Sequence, residues 1–152
     1  MPTRYAEDLA VGDEFTFGSH TVTTEEIIEF AEEFDPQPFH TDEAAATESM
    51  FGGLVASGWH VVSLTNRMLT DSVFSNIALQ GGHGTDEVRF PAPTRPGDTL
   101  SGTVEIVDIS EPEHRPQHRD VDFAVTTRND DGPVLTMTNL GIVARRESAD
   151  ED

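Results

Sequence analysis

The first apolar and polar positions predict a strand followed by an amphipathic helix. Residues 13–22 ("DEFTFGSHTV") suit a strand with a bend at Gly18. Residues 23–34 ("TTEEIIEFAEEF") place their apolar side chains largely on one side at helical spacing. Thr23 and Glu26 have the spacing of a capping box, which marks the start of a helix of about three turns.

A proline-rich segment is predicted to end this helix. Pro36 disfavours helical geometry in the preceding residue, so the helix should stop at Asp35. Pro38 is expected to extend the chain again, which places His40 on a stiff, extended arm. A short helix is predicted next, around residues 42–48.

Residues 51–71 predict a long, buried central helix, because their apolar positions follow helical spacing and they carry almost no charge. Ser57 is the candidate N-cap, which puts Gly58 in the first turn with an amide that the helix does not use. Trp59 and His60 are expected to pack in or beside the core.

The second half of the chain changes from helical to alternating periodicity. After a glycine-rich link at residues 81–84, strands are predicted over residues 86–93, 98–109, 119–128 and 133–146. Residues 129–132 ("NDDG") predict the hairpin turn between the last two strands. A long buried helix followed by an antiparallel meander describes an α+β fold with the helix packed on the sheet.

Length and composition predict one soluble, cytoplasmic domain. The 152 residues fit a single domain over residues 1–146, with an acidic, disordered tail over residues 147–152. No long apolar run and no signal-peptide pattern is present. Cysteine is absent, which excludes disulfides, thiolate catalysis and cysteine-ligated metal sites.

The net charge is −20, from 29 acidic residues against nine arginines and no lysine. Such a surface repels nucleic acid and anionic membranes, so neither is an expected partner. In molar salt the Debye length falls to about 3 Å and the self-repulsion is screened. The pattern resembles proteins of extreme halophiles, with an ordinary acidic protein as the alternative.

Asp35, His40 and Gly58 are the candidate chemical groups. A carboxylate and an imidazole held by prolines can share one water and move protons, and a helix N-terminal amide can face a developing oxyanion. The alternatives are a helix-end hydrogen bond for the first two and close packing for the glycine. Ser57 is better explained as a cap than as a nucleophile. No metal site and no nucleotide fingerprint is assigned.

Two segments carry a resemblance to a known family. Residues 30–64 ("FAEEFDPQPFHTDEAAATESMFGGLVASGWHVVSL") resemble the signature of the MaoC-like dehydratases, and residues 88–100 ("VRFPAPTRPGDTL") resemble their second motif. The resemblance places the catalytic aspartate, histidine and oxyanion-hole glycine on Asp35, His40 and Gly58. It implies that Asp35 takes the water proton, that His40 orients the water and takes part in proton delivery, and that the Gly58 amide stabilises the enolate. Many members have Gly-Asp-x-Asn-Pro and His-Gly at positions where this chain differs. The resemblance implies that the acyl pocket is lined by Gln37, Phe39, Ser57 and Trp59.

The resemblance implies a hotdog fold, in which a curved antiparallel sheet wraps around the central helix, and a homodimer whose two sheets join. It also implies reversible hydration of an α,β-unsaturated acyl-CoA thioester to a 3-hydroxyacyl-CoA, as in (R)-specific enoyl-CoA hydratases. Coenzyme A enters only as part of the substrate, with no other cofactor, and Arg67, Arg89 and Arg95 are available for its phosphates. A hotdog thioesterase and a non-catalytic acyl-binding module are the alternatives.

Overall fold

The computed structural model describes residues 3–146, so the predicted tail at 147–152 lies outside the described residues. Two single 3₁₀ turns occupy Ala6–Asp8 and Phe74–Asn76. The helices are α1 (Thr24–Phe34), α2 (Pro38–Thr41), α3 (Glu43–Thr47) and α4 (Gly58–Ser72). The strands are β1 (Glu14–Thr21), β2 (Leu79–Arg89), β3 (Thr99–Ser110), β4 (His118–Asn129) and β5 (Gly132–Ala144).

The five strands form one antiparallel sheet in the order β1-β3-β4-β5-β2. The predicted meander and its turn are confirmed, since β4 pairs with β5 from Asn129 opposite Gly132 onward. Register shifts interrupt all four strand pairs, including one at Gly18 where the bend was predicted. Irregularities of this kind bend strands and increase their twist, as a curved sheet requires.

The start of α1 follows the predicted cap only in part. The Thr23 side chain accepts a hydrogen bond from the Glu26 amide, as expected for an N-cap. The Glu26 carboxylate, however, lies 2.8 Å from Nε2 of His20. Glu26 therefore links α1 to the neighbouring strand β1.

The prediction of an extended arm at His40 was wrong. His40 lies in α2, a single helical turn that begins at Pro38. The ring of Pro38 fixes φ near the helical value, and the first turn needs no N–H from this position, so proline starts a helix as readily as it prevents one upstream. The extended residue is Gln37, directly before Pro38.

The prediction of a glycine-rich link at residues 81–84 was wrong, because these residues are part of the edge strand β2. Glycines alternate with polar residues there, a pattern with no apolar face that could reveal a strand. The ladder to β5 tolerates them through register shifts at Gly81 and Gly84. The strand is therefore long, exposed on its outer side and paired on one side only.

Helix α4 packs against β1 and β5 and buries His60, Val61, Thr65, Met68 and Leu69. The prediction of a central helix starting after Ser57 is confirmed. The prediction that Trp59 packs in or beside the core was wrong, because its side chain is 62% exposed. One residue further along, His60 is buried as expected.

Within residues 3–146, the longest apolar helical stretch is too short or too polar to cross a membrane.

Candidate active site

Three elements meet around the Asp35 carboxylate: the end of α1, the turn α2 and the start of α4. Asp35 caps α1 through its amide, which donates to the Ala31 carbonyl at 2.8 Å. The Gln37 side-chain amide donates to Oδ1 at 2.8 Å, and the Ser57 hydroxyl donates to Oδ2 at 2.7 Å. Both carboxylate oxygens are thus fixed by donors from two different parts of the chain.

These donors keep Asp35 ionised. The hydrogen bond from Gln37 is the strongest influence and lowers the pKa of Asp35 below its usual value. Partial burial acts in the opposite direction, and the Ser57 hydroxyl and the neighbouring His40 lower the pKa further. Asp35 is therefore a carboxylate near neutral pH and can accept a hydrogen bond from water.

His40 is buried, and the backbone holds its ring in one tautomer. Its Nδ1 lies 2.7 Å from the Val55 carbonyl oxygen, which can only accept a hydrogen bond, so Nδ1 carries the proton. Nε2 of the neutral ring is then unprotonated and lies 3.5 Å from Oδ2 of Asp35. Two acceptors at this separation can both receive hydrogen bonds from one water molecule.

Gly58 is the first residue of α4, and its amide has no acceptor within residues 3–146. The next amide, that of Trp59, donates a hydrogen bond to the Ser57 hydroxyl at 3.2 Å. A Cβ at position 58 would lie 2.4 Å from Cζ of Phe90, so the aromatic ring sits directly against the glycine backbone. Glycine is thus required for this close approach, and the unused amide lies at the positive end of the helix dipole.

A cavity of about 300 Å³, here called the His40 cavity, opens beside these groups. It is lined by Phe39, His40, Phe51, Val55, Ala56, Gly58, Val61, Phe90, Pro91, Ala92, Pro93, Thr94 and Val134. A larger cavity of about 580 Å³, here called the α4 groove, lies between the outward face of α4 and strands β2 and β5. None of Asp35, His40 and Gly58 lines the α4 groove, so the His40 cavity is the one next to the chemical groups.

The structure brings Asp35, His40 and Gly58 together, as predicted from their residue types. Of the residues implied to line an acyl pocket, Phe39 lines the His40 cavity. Gln37 and Ser57 hold the Asp35 carboxylate instead of lining that cavity. Trp59 points to the exterior, and contact of these three with an acyl group stays a prediction.

Sequence reasoning missed the supports of the site. The Ser57 hydroxyl binds Asp35 across 22 residues of chain, and the Val55 carbonyl orients His40 across 15. Phe90 covers Gly58 from the end of β2. The departure from the family's His-Gly at position 57 was the one available signal, since a buried serine beside the helix start can serve both as cap and as donor.

The arrangement of one curved antiparallel sheet around a central helix is the hotdog fold. The (R)-hydratase from A. caviae has this fold, with a TM-score of 0.72 at 21% identity, over 90% of this chain and 98% of that one. A model of the MaoC like domain matches residues 8–129. The chain belongs to the MaoC-like domain family.

Relatives within this family carry names of dehydratases. The structure of the MaoC-like dehydratase from Rhodospirillum rubrum is 44% identical, with a TM-score of 0.86, and the match covers 94% of this chain and 98% of that one. The 3-hydroxyacyl-thioester dehydratase Z of Mycobacterium tuberculosis is 30% identical over 93 residues, which are 60% of this chain and 62% of that protein. The family thus includes hydratases and dehydratases.

Proposed function

We propose that this protein catalyses the reversible addition of water to an α,β-unsaturated acyl thioester, with coenzyme A as the carrier, to give a 3-hydroxyacyl thioester. The observation that carries the proposal is the facing pair of acceptors, Nε2 of His40 and Oδ2 of Asp35, 3.5 Å apart next to the unused amide of Gly58. The dehydratase names among the relatives support the same reaction class.

In the hydration direction, one water donates one hydrogen bond to Nε2 of His40 and one to Oδ2 of Asp35, which aims its oxygen at the β-carbon; the proton that faces Asp35 stays on this oxygen. As the carbon–oxygen bond forms, Nε2 of His40 takes one proton, and the carbon–carbon π electrons move towards the thioester carbonyl. The imidazolium then delivers this proton to the α-carbon. The product gains one hydroxyl at the β-carbon and one hydrogen at the α-carbon, so the atoms balance without another reactant.

The Gly58 amide donates to the thioester oxygen, where negative charge builds up in the enolate. An amide at a helix N-terminus is oriented before the reaction begins, so it stabilises this charge without reorganisation. Removal of one comparable oxyanion donor costs about 100-fold or more in turnover. The Phe90 ring lies against the same backbone and leaves no room for a side chain at position 58.

The hydrogen bonds favour a different division of roles from the one expected from sequence, in which Asp35 takes the water proton. Asp35 has a lowered pKa because of Gln37 and Ser57, so it is a weak base and carries no proton to deliver near neutral pH. His40 has its tautomer set with Nε2 free to accept a proton. We therefore assign proton transfer to His40, and orientation of the water and stabilisation of the imidazolium to Asp35.

We also propose that the active form is a homodimer joined along β2. This strand leaves one edge unpaired and is exposed along almost its whole length, which is rare for an eleven-residue strand unless another chain covers it. The α4 groove and the exposed Trp59 lie on or beside the outward face of α4. Light scattering tests the proposal, and a fully active monomer would contradict it.

The proposed reaction is tested with a panel of enoyl-CoA and 3-hydroxyacyl-CoA esters of different chain lengths. Loss of the conjugated double bond and release of free thiol are followed in the same reaction. A hydratase removes the double bond and leaves the thioester intact. Release of thiol at the same rate as loss of ester, with the double bond retained, would assign the protein to the thioesterases instead.

A further inference from the structure

Arg95 occupies a distinctive place at one end of the His40 cavity. Its Nη2 donates to the Phe51 carbonyl at 2.7 Å, and its Nη1 lies 3.3 Å from where a Cβ of Gly53 would be. Phe51 and Thr94, the neighbour of Arg95, both line the cavity. The guanidinium thus lies against the glycine backbone just beyond the cavity end that is formed by these two residues.

No carboxylate within residues 3–146 forms an ion pair with Arg95. Arg67, by contrast, pairs with Asp71 at 2.9 Å on the surface of α4. Arg4, Arg89 and Arg128 form no ion pair within these residues either, so Arg95 is distinguished by its place beside the cavity. The backbone amide of Arg95 donates to Oδ2 of Asp98 at 2.9 Å, whereas the guanidinium donates only to the Phe51 carbonyl. Further guanidinium N–H groups therefore remain for an anion.

Two backbone amides beside Arg95 also lack acceptors. The N–H groups of Gly53 and Leu54 have no hydrogen-bond partner within residues 3–146, although Leu54 is only 5% exposed. Buried backbone N–H groups are almost always paired, with protein, water or ligand. Consecutive free amides next to a guanidinium form a typical set of donors for phosphate oxygens.

The distance to the reacting groups suits the arm that carries an acyl thioester. Gly58 lies five positions after Gly53, so their Cα atoms are at most about 18 Å apart. Hydrogen bonds from the Val55 amide to Phe39 and from the Ala56 amide to Thr94 hold this segment along the cavity. A pantetheine arm of about a dozen bonds between sulfur and phosphate spans a similar length, roughly that of four extended residues.

We propose that Arg95, with the amides of Gly53 and Leu54, binds the phosphate at the end of a 4′-phosphopantetheine arm while the thioester lies at Gly58. The inference rests on the proposed function, because it assumes a thioester at that amide. The same phosphate occurs in coenzyme A and on acyl carrier proteins, so the site recognises the arm common to both carriers.

The test compares one enoyl group on three carriers, coenzyme A, 4′-phosphopantetheine and pantetheine, for the wild type and for Arg95→Gln. Glutamine keeps an N–H donor for the Phe51 carbonyl but removes the charge. The wild type is expected to have a KM roughly tenfold or more higher for the pantetheine ester than for the phosphopantetheine ester. In Arg95→Gln this ratio should fall close to one, with the KM for the pantetheine ester unchanged.

Arg67→Gln is the matched control and should keep the wild-type ratio, since Arg67 is already paired and lies away from the cavity. An equal rise in KM for all three esters in Arg95→Gln would show that Arg95 only supports the 51–54 turn, and would overturn the proposal. An unchanged ratio in Arg95→Gln would overturn it as well. An ester on a holo acyl carrier protein separates the two sources, because a lower KM than for the coenzyme A ester would identify the carrier protein.

Calorimetric titration with 4′-phosphopantetheine and with pantetheine tests the site without turnover. Binding of the phosphorylated arm that is lost in Arg95→Gln supports the phosphate site even if no hydration is detected, in which case only the proposed function fails. Equal binding of both arms by the wild type, in a protein that hydrates enoyl esters, would remove the phosphate site and leave the proposed function intact.

Discussion

At the scale of single residues, the site depends on two fixed acceptors, and each has a different support. Asp35 is held by side chains, from Gln37 and Ser57, whereas His40 is held by the backbone carbonyl of Val55. Backbone support tolerates many substitutions at position 55, but the support of Asp35 can be removed by single mutations. The two groups are therefore open to separate experiments.

Asp35→Asn and His40→Ala are each expected to reduce hydration of an enoyl-CoA ester by about 100-fold or more, without unfolding the protein. Because both residues act on one water, the double variant should be little slower than the slower single variant. The measurement is initial rate alongside thermal unfolding. Near-normal turnover in both single variants would show that the chemistry lies elsewhere.

Gln37→Leu is expected to raise the pKa of Asp35, because the variant removes the hydrogen bond that lowers it most. NMR titration of the Asp35 side-chain carboxyl carbon measures this directly. The Gln37 amide stabilises the Asp35 carboxylate, so its removal favours the protonated form at a given pH and the pKa rises. Thr41→Val, nearby but without a contact to Asp35, is the control. An unchanged titration in Gln37→Leu would show that the hydrogen bond from Gln37 does not set the pKa of Asp35.

The residues that are proposed to carry the chemistry could be selected from the sequence, but their supports could not. Asp35, His40 and Gly58 stand out by residue type and by their places at the ends of predicted elements. The bond between Ser57 and Asp35 joins positions 22 residues apart, and no periodicity reports on such a contact. The anchor of His40 is a backbone carbonyl, which every residue has, so no residue type reveals it.

At the scale of elements, predictions held where apolar spacing was strong and failed where glycine and proline dominate. Helix α4 and the meander of β3 to β5 follow from their buried positions. The turn at Pro38 and the strand over 81–84 were missed, because proline starts helices as well as ending them and glycine suits links as well as bulged edges. Trp59 was assigned to the core with the apolar residues at helical spacing, although it stands one position before the first buried residue, His60.

A buried histidine in the first turn of α4 should make the fold sensitive to acid. The ring of His60 stacks on Phe30 at 4.8 Å, with Glu26 4.0 Å away, and its Nδ1 has no partner within residues 3–146. Burial lowers the pKa of His60 below its usual 6.5; Glu26 opposes this effect, and His20 adds to it. The stability that depends on neutral His60 is present above about pH 6.5 and is lost as pH falls towards the lower folded value.

His60→Leu is therefore expected to unfold with a weaker pH dependence than the wild type between about pH 7 and pH 5. The free energy of unfolding is measured by denaturant titration at each pH. His114→Leu, in an exposed loop, is the control and should keep the wild-type slope. Equal slopes in His60→Leu and the wild type would show that His60 takes up its proton as easily in the folded protein as in the unfolded chain.

At the scale of the whole molecule, the net charge is −20, and a group of four aspartates on the sheet contributes to it. Asp122 on β4 lies opposite Asp108 on β3. Burial raises the pKa of Asp122, and the neighbouring carboxylates of Asp108, Asp120 and Asp86 raise it further. The ionised form is thus disfavoured in the folded state, which costs stability above the folded pKa.

Stability and hydration rate are expected to rise from about 0.1 M towards molar potassium chloride, because salt screens this repulsion. Asp122→Asn should raise the thermal midpoint at neutral pH and low salt, and its advantage should shrink in high salt or at a pH low enough to protonate Asp122. Asp130→Asn removes the same charge from an exposed turn and is the control. Full stability and activity at 50 mM salt, with no gain above it, would remove the case for adaptation to a saline environment.

The central claim is that water adds to the carbon–carbon double bond and leaves the thioester intact. The most direct test is incubation of an enoyl-CoA ester in water enriched in oxygen-18, followed by mass spectrometry of the products. The account predicts oxygen-18 in the 3-hydroxyl group of an intact 3-hydroxyacyl-CoA, with little formed by Asp35→Asn or His40→Ala. Oxygen-18 in the carboxylate of a released acid, with the double bond retained, would contradict it.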